Sequence, residues 1–516
     1  MQDPNLKFYA DTCEFRSHYE RLLSARKKKR LHSKRVRCSK RISVPFPHHA
    51  RKSPKKRRSP NNDVDKNGTP RKIDPKKTYW YRNYVVYPNI SCRRFQQKFR
   101  FRFRLPHESF TFLLARLSRS EDFCRWTSEK PLRNKDERSP ISLLLLGTLR
   151  YLGRGWTFDD LEEATGISEE VHRNFFHAFV KFGREKLYPE YVKFPTNKEE
   201  AKTHSHEFNL AGMHGAIGSM DACHVILEKC SHRLKQNHLG GKSKHTCRSY
   251  NLTCNHRRQI LHTTSGYPAR WNDKTIVLFD TFAKGLKNGT IMNDNVFELM
   301  ERSENDEIIK VKYRGAWLVV DNGYLNWGVT IAPIKKTMYI TETRWSEWME
   351  SMRKDVECTF GILKGRFRIL KAGIRFHGVE ITDNIWMTCC ALHNLLLEVD
   401  GVTGQWDGDN GCFDFENESE RLPFALQRLR NPSDQRNYDT SGMGPGVGNG
   451  EEDSQVIPND CNRPIFDEVF PEVINEVNLL SAEIFRKKLV EHFDILFKQY
   501  QIQWSRRSTG NNRPII

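Results

Sequence analysis

The spacing of hydrophobic positions changes along this chain, and each change marks an element. Phe99-Arg100-Phe101-Arg102-Phe103-Arg104 alternates apolar and basic residues with period two, the pattern of an extended segment. Phe110 to Leu117 reads as helix. Ser139-Pro140 can open another, and Ile141 to Leu152 behind it is apolar on much of its surface, so burial is expected. Gly153-Arg154-Gly155 ends that helix. Thr157 is an N-cap candidate with Asp160 three residues on, Gly166 breaks the second helix, and Ser168-Glu169-Glu170-Val171 opens a third that runs to about Phe182. Short helix, glycine turn and longer helix fit a helix-turn-helix, and fit an ordinary three-helix packing unit equally well. The third helix opens on two glutamates where a recognition helix would meet phosphate, which counts against base reading.

Beyond residue 213 the pattern is denser. Ile217 to Leu227 reads as a strand, as do Asn251 to Cys254 and Gln259 to Thr264 around the turn His256-Arg257-Arg258. Asp273 to Gly285 reads as helix, and Ala316 to Val320 as a short apolar strand ending in Asp321. Trp345 to Leu370 is a long helical stretch with candidate breaks at Gly361 and Gly365, and Ile385 to Val399 is an apolar helix. Ser481 to Tyr500 is amphipathic, with Ile484, Phe485, Leu489, Phe493, Leu496 and Phe497 along one side, suited to the core or to a partner. Strands first, then helices alternating with a strand, predict an α/β fold: a mixed sheet flanked by helices, behind a helical region.

Charge divides the chain further. Residues 21–58 hold 17 Lys or Arg and no Asp or Glu, a large part of the net +22. Arg26-Lys27-Lys28-Lys29-Arg30 and Lys55-Lys56-Arg57-Arg58 form two clusters of the kind found in nuclear targeting signals and DNA-binding arms, against the plainer reading of a solvated tail. Residues 400–480 invert the balance, with 17 acids against five Arg, and contain the linker-like run 441–450. The expected division is a disordered basic tail over 1–78, a helical, helix-turn-helix-like domain over 79–213, a catalytic domain over 214–400, an acidic linker over 401–480 and a C-terminal helix over 481–516. The basic excess favours phosphate-rich partners, and the expected location is the nucleus. No run of 18 apolar residues occurs, so no transmembrane helix is expected, and the first residues form no hydrophobic signal segment. Thirteen cysteines without such a signal point to free thiols. The Cys-x6-Cys spacings Cys223/Cys230 and Cys247/Cys254 do not match common zinc sites.

Three acids carry the candidate chemistry. Asp221 and Asp321 each follow a short apolar run that suits a buried strand, and Glu357 stands in the long helix, 35 residues separating it from Asp321. Carboxylates converging from strand, strand and helix can hold two divalent metal ions, Mg2+ or Mn2+, for phosphodiester chemistry. Arg353, Lys354, Lys364, Arg366 and Arg368 surround Glu357 and are candidate DNA contacts. Lys364, two turns on, shares its face.

The run from Trp345 to Leu370, with Arg353-Lys354-Asp355-Val356-Glu357 and Phe360-Gly361-Ile362-Leu363-Lys364-Gly365-Arg366-Phe367, resembles the glutamate motif of Harbinger-type transposases, in the plant transposon protein branch. Cys389-Cys390-Ala391-Leu392-His393-Asn394 resembles that family's closing helix, and Gly266-Tyr267-Pro268-Ala269-Arg270-Trp271-Asn272-Asp273 its segment after the third strand. The resemblance covers about residues 100–400. It implies a ribonuclease-H-like fold and a DDE triad of Asp221, Asp321 and Glu357 as catalytic metal ligands. It implies an endonuclease and transposase that cuts transposon ends and joins the 3′-hydroxyl to target DNA, working as a homo-oligomer and with a separate Myb-like DNA-binding protein. The chain departs from the family at Ala222, where glycine is usual, and at Val320-Asp321-Asn322-Gly323-Tyr324, where Gly-Asp-Ser-Gly-Tyr is common. Neither change touches an acid. A domesticated DNA-binding or scaffold protein on the same fold is the alternative, and an RNA-cutting nuclease shares the metal chemistry. The roles of Asp273 and Asp280 stay open.

Overall fold

The computed structural model describes residues 73–127, 139–240, 245–402, 474–499 and 502. The two basic clusters, the 441–450 run and nearly all of the acidic stretch lie outside the described residues.

The helical region begins with aromatic packing. Helix α1 (Arg93–Phe103) occupies the segment whose alternation predicts a strand. The correction has a simple cause. Phe95, Phe99 and Phe103 recur every four residues and stack on Tyr84, with ring centroids 5.3–6.0 Å away, while Phe101 turns outward. Helix α2 (His107–Arg119) follows, then α3 (Ile141–Arg154), which is buried over almost its whole length. Helix α4 (Phe158–Thr165) starts at the expected Thr157/Asp160 capping box and stops at Gly166 with φ 68°. A Cβ on Gly166 would sit 2.6 Å from the Ile73 carbonyl oxygen. Helix α5 (Glu169–Phe182) buries Phe175, Phe176 and Phe179, and α6 (Lys198–Leu210) leads into the sheet.

The main sheet has the order β3-β2-β1-β7-β8. Strands β1 (Ala216–Ile226), β2 (Cys247–Cys254) and β3 (Ile260–Thr263) are antiparallel neighbours, joined in part by the short helix α7 (His232–His238). The two-residue β4 (Tyr267–Pro268) pairs with β2. The expected 273–285 helix is two pieces, α8 (Asp273–Val277) and α9 (Thr281–Lys287), divided where Asp280 caps α9 through the Ala283 N–H. A hairpin of β5 (Val296–Arg302) and β6 (Ile308–Arg314) intervenes before β7 (Trp317–Val319) and β8 (Thr330–Ile331) return to the main sheet, parallel to β1. Helix α10 (Ile340–Arg366) runs through Gly361 and Gly365 without a break, then α11 (Ile369–Ala372) and α12 (Val379–Val399) complete one cover. The fold is therefore mixed α/β with a helical N-terminal region.

Two apolar cores pack against the sheet. One joins the helical region to Cys223, Val225, Tyr250 and Leu252 through α12. The other packs Ile217, Met220, Trp317 and Val319 against Trp345, Trp348 and Met352 of α10, which recur at helical spacing. Strand β9 (Asn475–Glu476) pairs with β6, and α13 (Ala482–Lys498) docks on this second core through Phe485, Leu489 and Phe493. Ile484 is exposed, so it leaves the expected apolar stripe. Arg248 and Asp383 form a bidentate pair at 2.6 Å that clamps α12 to the sheet, with Tyr250 donating to the same carboxylate at 2.7 Å. Among the described residues no helix is long and apolar enough to cross a membrane.

Candidate active site

The sheet order puts two of the three acids side by side. Ser219 on β1 pairs in register with Val319 on parallel β7, so Asp221, inside β1, and Asp321, just past the end of β7, each two residues further on, stand at the same level. Asp221 Oδ1 accepts the Ala222 N–H at 2.8 Å, and Asp321 Oδ1 accepts the Gly323 N–H at 2.7 Å. Tyr324 holds the Asp321 turn from behind. It is buried and donates to Asn251 Oδ1 at 2.6 Å, while Asn251 Nδ2 donates to Asp280 at 2.7 Å. Asp280 is thus a buried structural acid.

Asp273 stands with the triad. A Cβ on Gly323 would lie 2.9 Å from both Asp273 Oδ2 and Asp321 Oδ1, so those oxygens are at most twice that distance apart. Chain spacing hid this because Asp273 arrives from the start of α8, not from a strand end.

Glu357 reaches the site from α10 and is half exposed. Arg353, one turn earlier, joins it to the strands. Its guanidinium contacts Glu357 Oε1 at 2.8 Å, Glu350 Oε2 at 3.0 Å and Asp221 Oδ2 at 3.4 Å. Burial pushes the Asp221 carboxyl up to about 6; Asp321 and Asp273 add to the rise, while the Ala222 N–H and Arg353 oppose it.

The basic candidates divide by face. Arg353 faces the acids and not open solvent. Lys354 and Arg368 are exposed. Lys364 is half-buried and donates to the His224 carbonyl at 2.8 Å. Arg366 is buried, with Nη1 3.2 Å from His393 Nδ1, and burial brings its pKa down to about 10. It belongs to the core and cannot touch DNA, which corrects the sequence expectation. Nine residues of helix turn it half a revolution away from Glu357.

The residues suit a hard divalent cation. Mg2+ takes one or two protein carboxylates and keeps several waters, so no closed cage is required. Asp221 and Asp321 supply such oxygens, Asp273 adds a third carboxylate beside them, and the absent Cβ of Gly323 leaves space between carboxylates. Among the described residues no three His, Cys, Asp or Glu side chains form a ready cage. Arg353 takes the position between Asp221 and Glu357.

Residues 220–394 match the DDE superfamily endonuclease family. The ALP1-like protein of Arabidopsis thaliana is 21% identical over 306 residues, 58% of this chain and 71% of that protein. HARBI1 of Homo sapiens, a candidate nuclease by its name, is 23% identical over 214 residues, 40% of this chain and 54% of that protein. The Xenopus laevis HARBI1 is 23% identical over 216 residues, 41% of this chain and 55% of its own. The chain thus spans about half the length of these HARBI1 proteins. No solved structure matches it.

Proposed function

We propose, from the premise that residues 220–394 are a DDE superfamily endonuclease domain of the Harbinger type, that this chain is a metal-dependent DNA endonuclease and transposase. The observation that carries the reading is the level pairing of Asp221 and Asp321 on adjacent parallel strands, with Glu357 brought to them through Arg353. The strand order, three antiparallel strands followed by two parallel ones, supports the ribonuclease-H-like assignment.

Asp221, Asp321 and Glu357 would hold Mg2+ or Mn2+, with Asp273 beside them. Bound there, such ions activate an attacking water or 3′-hydroxyl and stabilise the leaving oxygen. The chain's own contribution is placement. The Tyr324–Asn251 hydrogen bond fixes the Asp321 turn, and Arg353 fixes the side chain of Glu357. Exposed Lys354 would receive a backbone phosphate beside the acids, and half-buried Lys364 would do so with the donors it does not give to the His224 carbonyl. The chemistry proposed is hydrolysis at transposon ends followed by joining to target DNA, by a homo-oligomer in the nucleus. A Myb-like partner would read sequence if the α4–turn–α5 unit does not.

One observation favours a second reading, a domesticated binder on this fold. Arg353 already neutralises Asp221 and Glu357, as a cation would. Nicking of supercoiled plasmid and of end-bearing DNA with Mg2+ or Mn2+ separates the two. Cutting that requires metal and vanishes in Asp321→Ala and Glu357→Ala supports the enzyme. DNA binding without cutting, with and without a Myb-like partner, supports the binder.

A further inference from the structure

Five arginines from three segments meet beyond the far end of α10. Arg104 ends α1 in the left-handed region, φ 63°, and donates through Nε to the Gly153 carbonyl at 3.3 Å. A Cβ on Gly153 would strike the Arg104 side chain, so this glycine allows the close approach. Arg150 and Arg154 stand one turn apart at the end of α3. The Arg368 backbone N–H reaches the same Gly153 carbonyl at 3.5 Å, and Arg375 Nη2 donates to the Gly155 carbonyl at 3.3 Å.

Charge in this cluster is uncompensated. Among the described residues none of the five pairs with a carboxylate, and Asp400 is taken up by Arg100 at 2.6 Å. The Arg150 Nε is buried without a hydrogen-bond partner. Burial, then Arg154, lowers Arg150 to about 10; burial, Arg154 and Arg368 lower Arg104. The guanidiniums of Arg104 and Arg154 stand 5.5 and 4.7 Å from the ring of exposed Phe101, and Arg150 stands 4.1 Å from Trp156. Such stacking orders cations that would otherwise repel one another.

We propose that this cluster binds the phosphate backbone of duplex DNA flanking the cleaved bond. The proposal rests on the nuclease reading for its direction. Arg366 ends α10 nine residues after Glu357, about 14 Å at the helical rise, or about four base-pair steps. A duplex leaving the carboxylates along α10 reaches the arginines at that distance. Arbitrary sequence suffices, because phosphate contacts carry no base information.

The test is anisotropy titration of a labelled duplex of arbitrary sequence over a series of salt concentrations. Wild type is compared with the triple variant Arg154→Gln, Arg368→Gln, Arg375→Gln. Removing one arginine–phosphate interaction flattens the plot of log K against log salt by about 0.9, so the triple variant should lose about 2 to 3 units of slope. If the triple variant melts early, the double variant Arg368→Gln, Arg375→Gln, which changes only exposed side chains, is read in its place. An unchanged slope overturns the proposal, as does a wild type that does not bind duplex. Nicking is scored separately. Arginine-dependent binding by a wild type that never cuts leaves this surface standing and removes the nuclease reading.

Discussion

A buried imidazole makes the chain sensitive to acid. His172 packs under Gly147 and meets Thr165 Oγ1 at 2.8 Å, and burial lowers its pKa to about 4. His492 is lowered to about 3 by burial, with His214 adding to the drop. Both stay neutral when folded, whereas the unfolded imidazole takes up a proton near pH 6.5. Their contribution is therefore present above that pH and lost as pH falls from about 6.5 toward about 4, on the order of 3 kcal/mol for His172. Urea titration at stepped pH should show this loss, and His172→Gln should reduce it. Asp221 acts in the opposite sense, because its raised pKa makes ionisation unfavourable in the fold. A bound cation relieves that, so Mg2+ should raise the Tm of wild type at pH 7 and leave Asp221→Asn unmoved in a thermal melt. Breaking the buried clamp with Asp383→Ala leaves Arg248 unpaired and is expected to cost about 3–5 kcal/mol in denaturant unfolding. The closeness of Asp221 and Asp321 was foreshadowed in the sequence because each follows an apolar run that suits a strand, and parallel pairing of two such strands sets them level. Arg366 was not, since a basic run does not say which residues face inward until the helix phase is known. The role of Asp273 stayed open in the sequence because its neighbours in space come from other segments.

Among the elements, legibility followed burial and local chemistry. Helices α3, α4 and α5 were read closely because the Thr157 capping box and Gly166 are local signals. Strands β1 and β7 were read because each carries an apolar run ahead of its aspartate. Helix α1 was misread. Its alternating arginines imitate a strand, and only its packing on Tyr84 selects the four-residue repeat. The β5–β6 hairpin went unread because its faces are rich in Glu and Lys, with Ile308 and Ile309 exposed. It is half covered by α13, which no local signal could supply. Helix α13 is bound in detail: Phe485 meets Tyr313 at 5.7 Å and Phe297 at 6.5 Å, and His492 Nδ1 accepts the Met300 N–H at 2.9 Å. Phe485→Ala should cost about 3–5 kcal/mol by chemical denaturation, whereas Ile484→Ala, on the exposed side, should cost well under about 1 kcal/mol.

Across the whole molecule, one sheet carries two cores, with Asp221 inside its central strand and Asp321 just beyond the neighbouring one. The helical region shares a core with the sheet, so the arginines of α1 and α3 are held in fixed relation to Glu357. A net charge of +22 would make any DNA affinity of this chain depend on salt, and the proposed arginine site would assign part of that dependence to named positions. The docking of α13 has a consequence of another kind. Helix α12 ends at Val399 in the first core and α13 begins at Ala482 on the second, and both belong to one compact unit. The docking of α13 uses contacts that need no covalent link to α12, so continuity between them is expected to be dispensable for assembly. A polypeptide ending near residue 402 and a separate peptide beginning near 474, made together, should recombine into one particle that co-purifies and melts as a unit. The smaller piece would then be a detachable subunit, and Phe485→Ala in it should abolish the reunion.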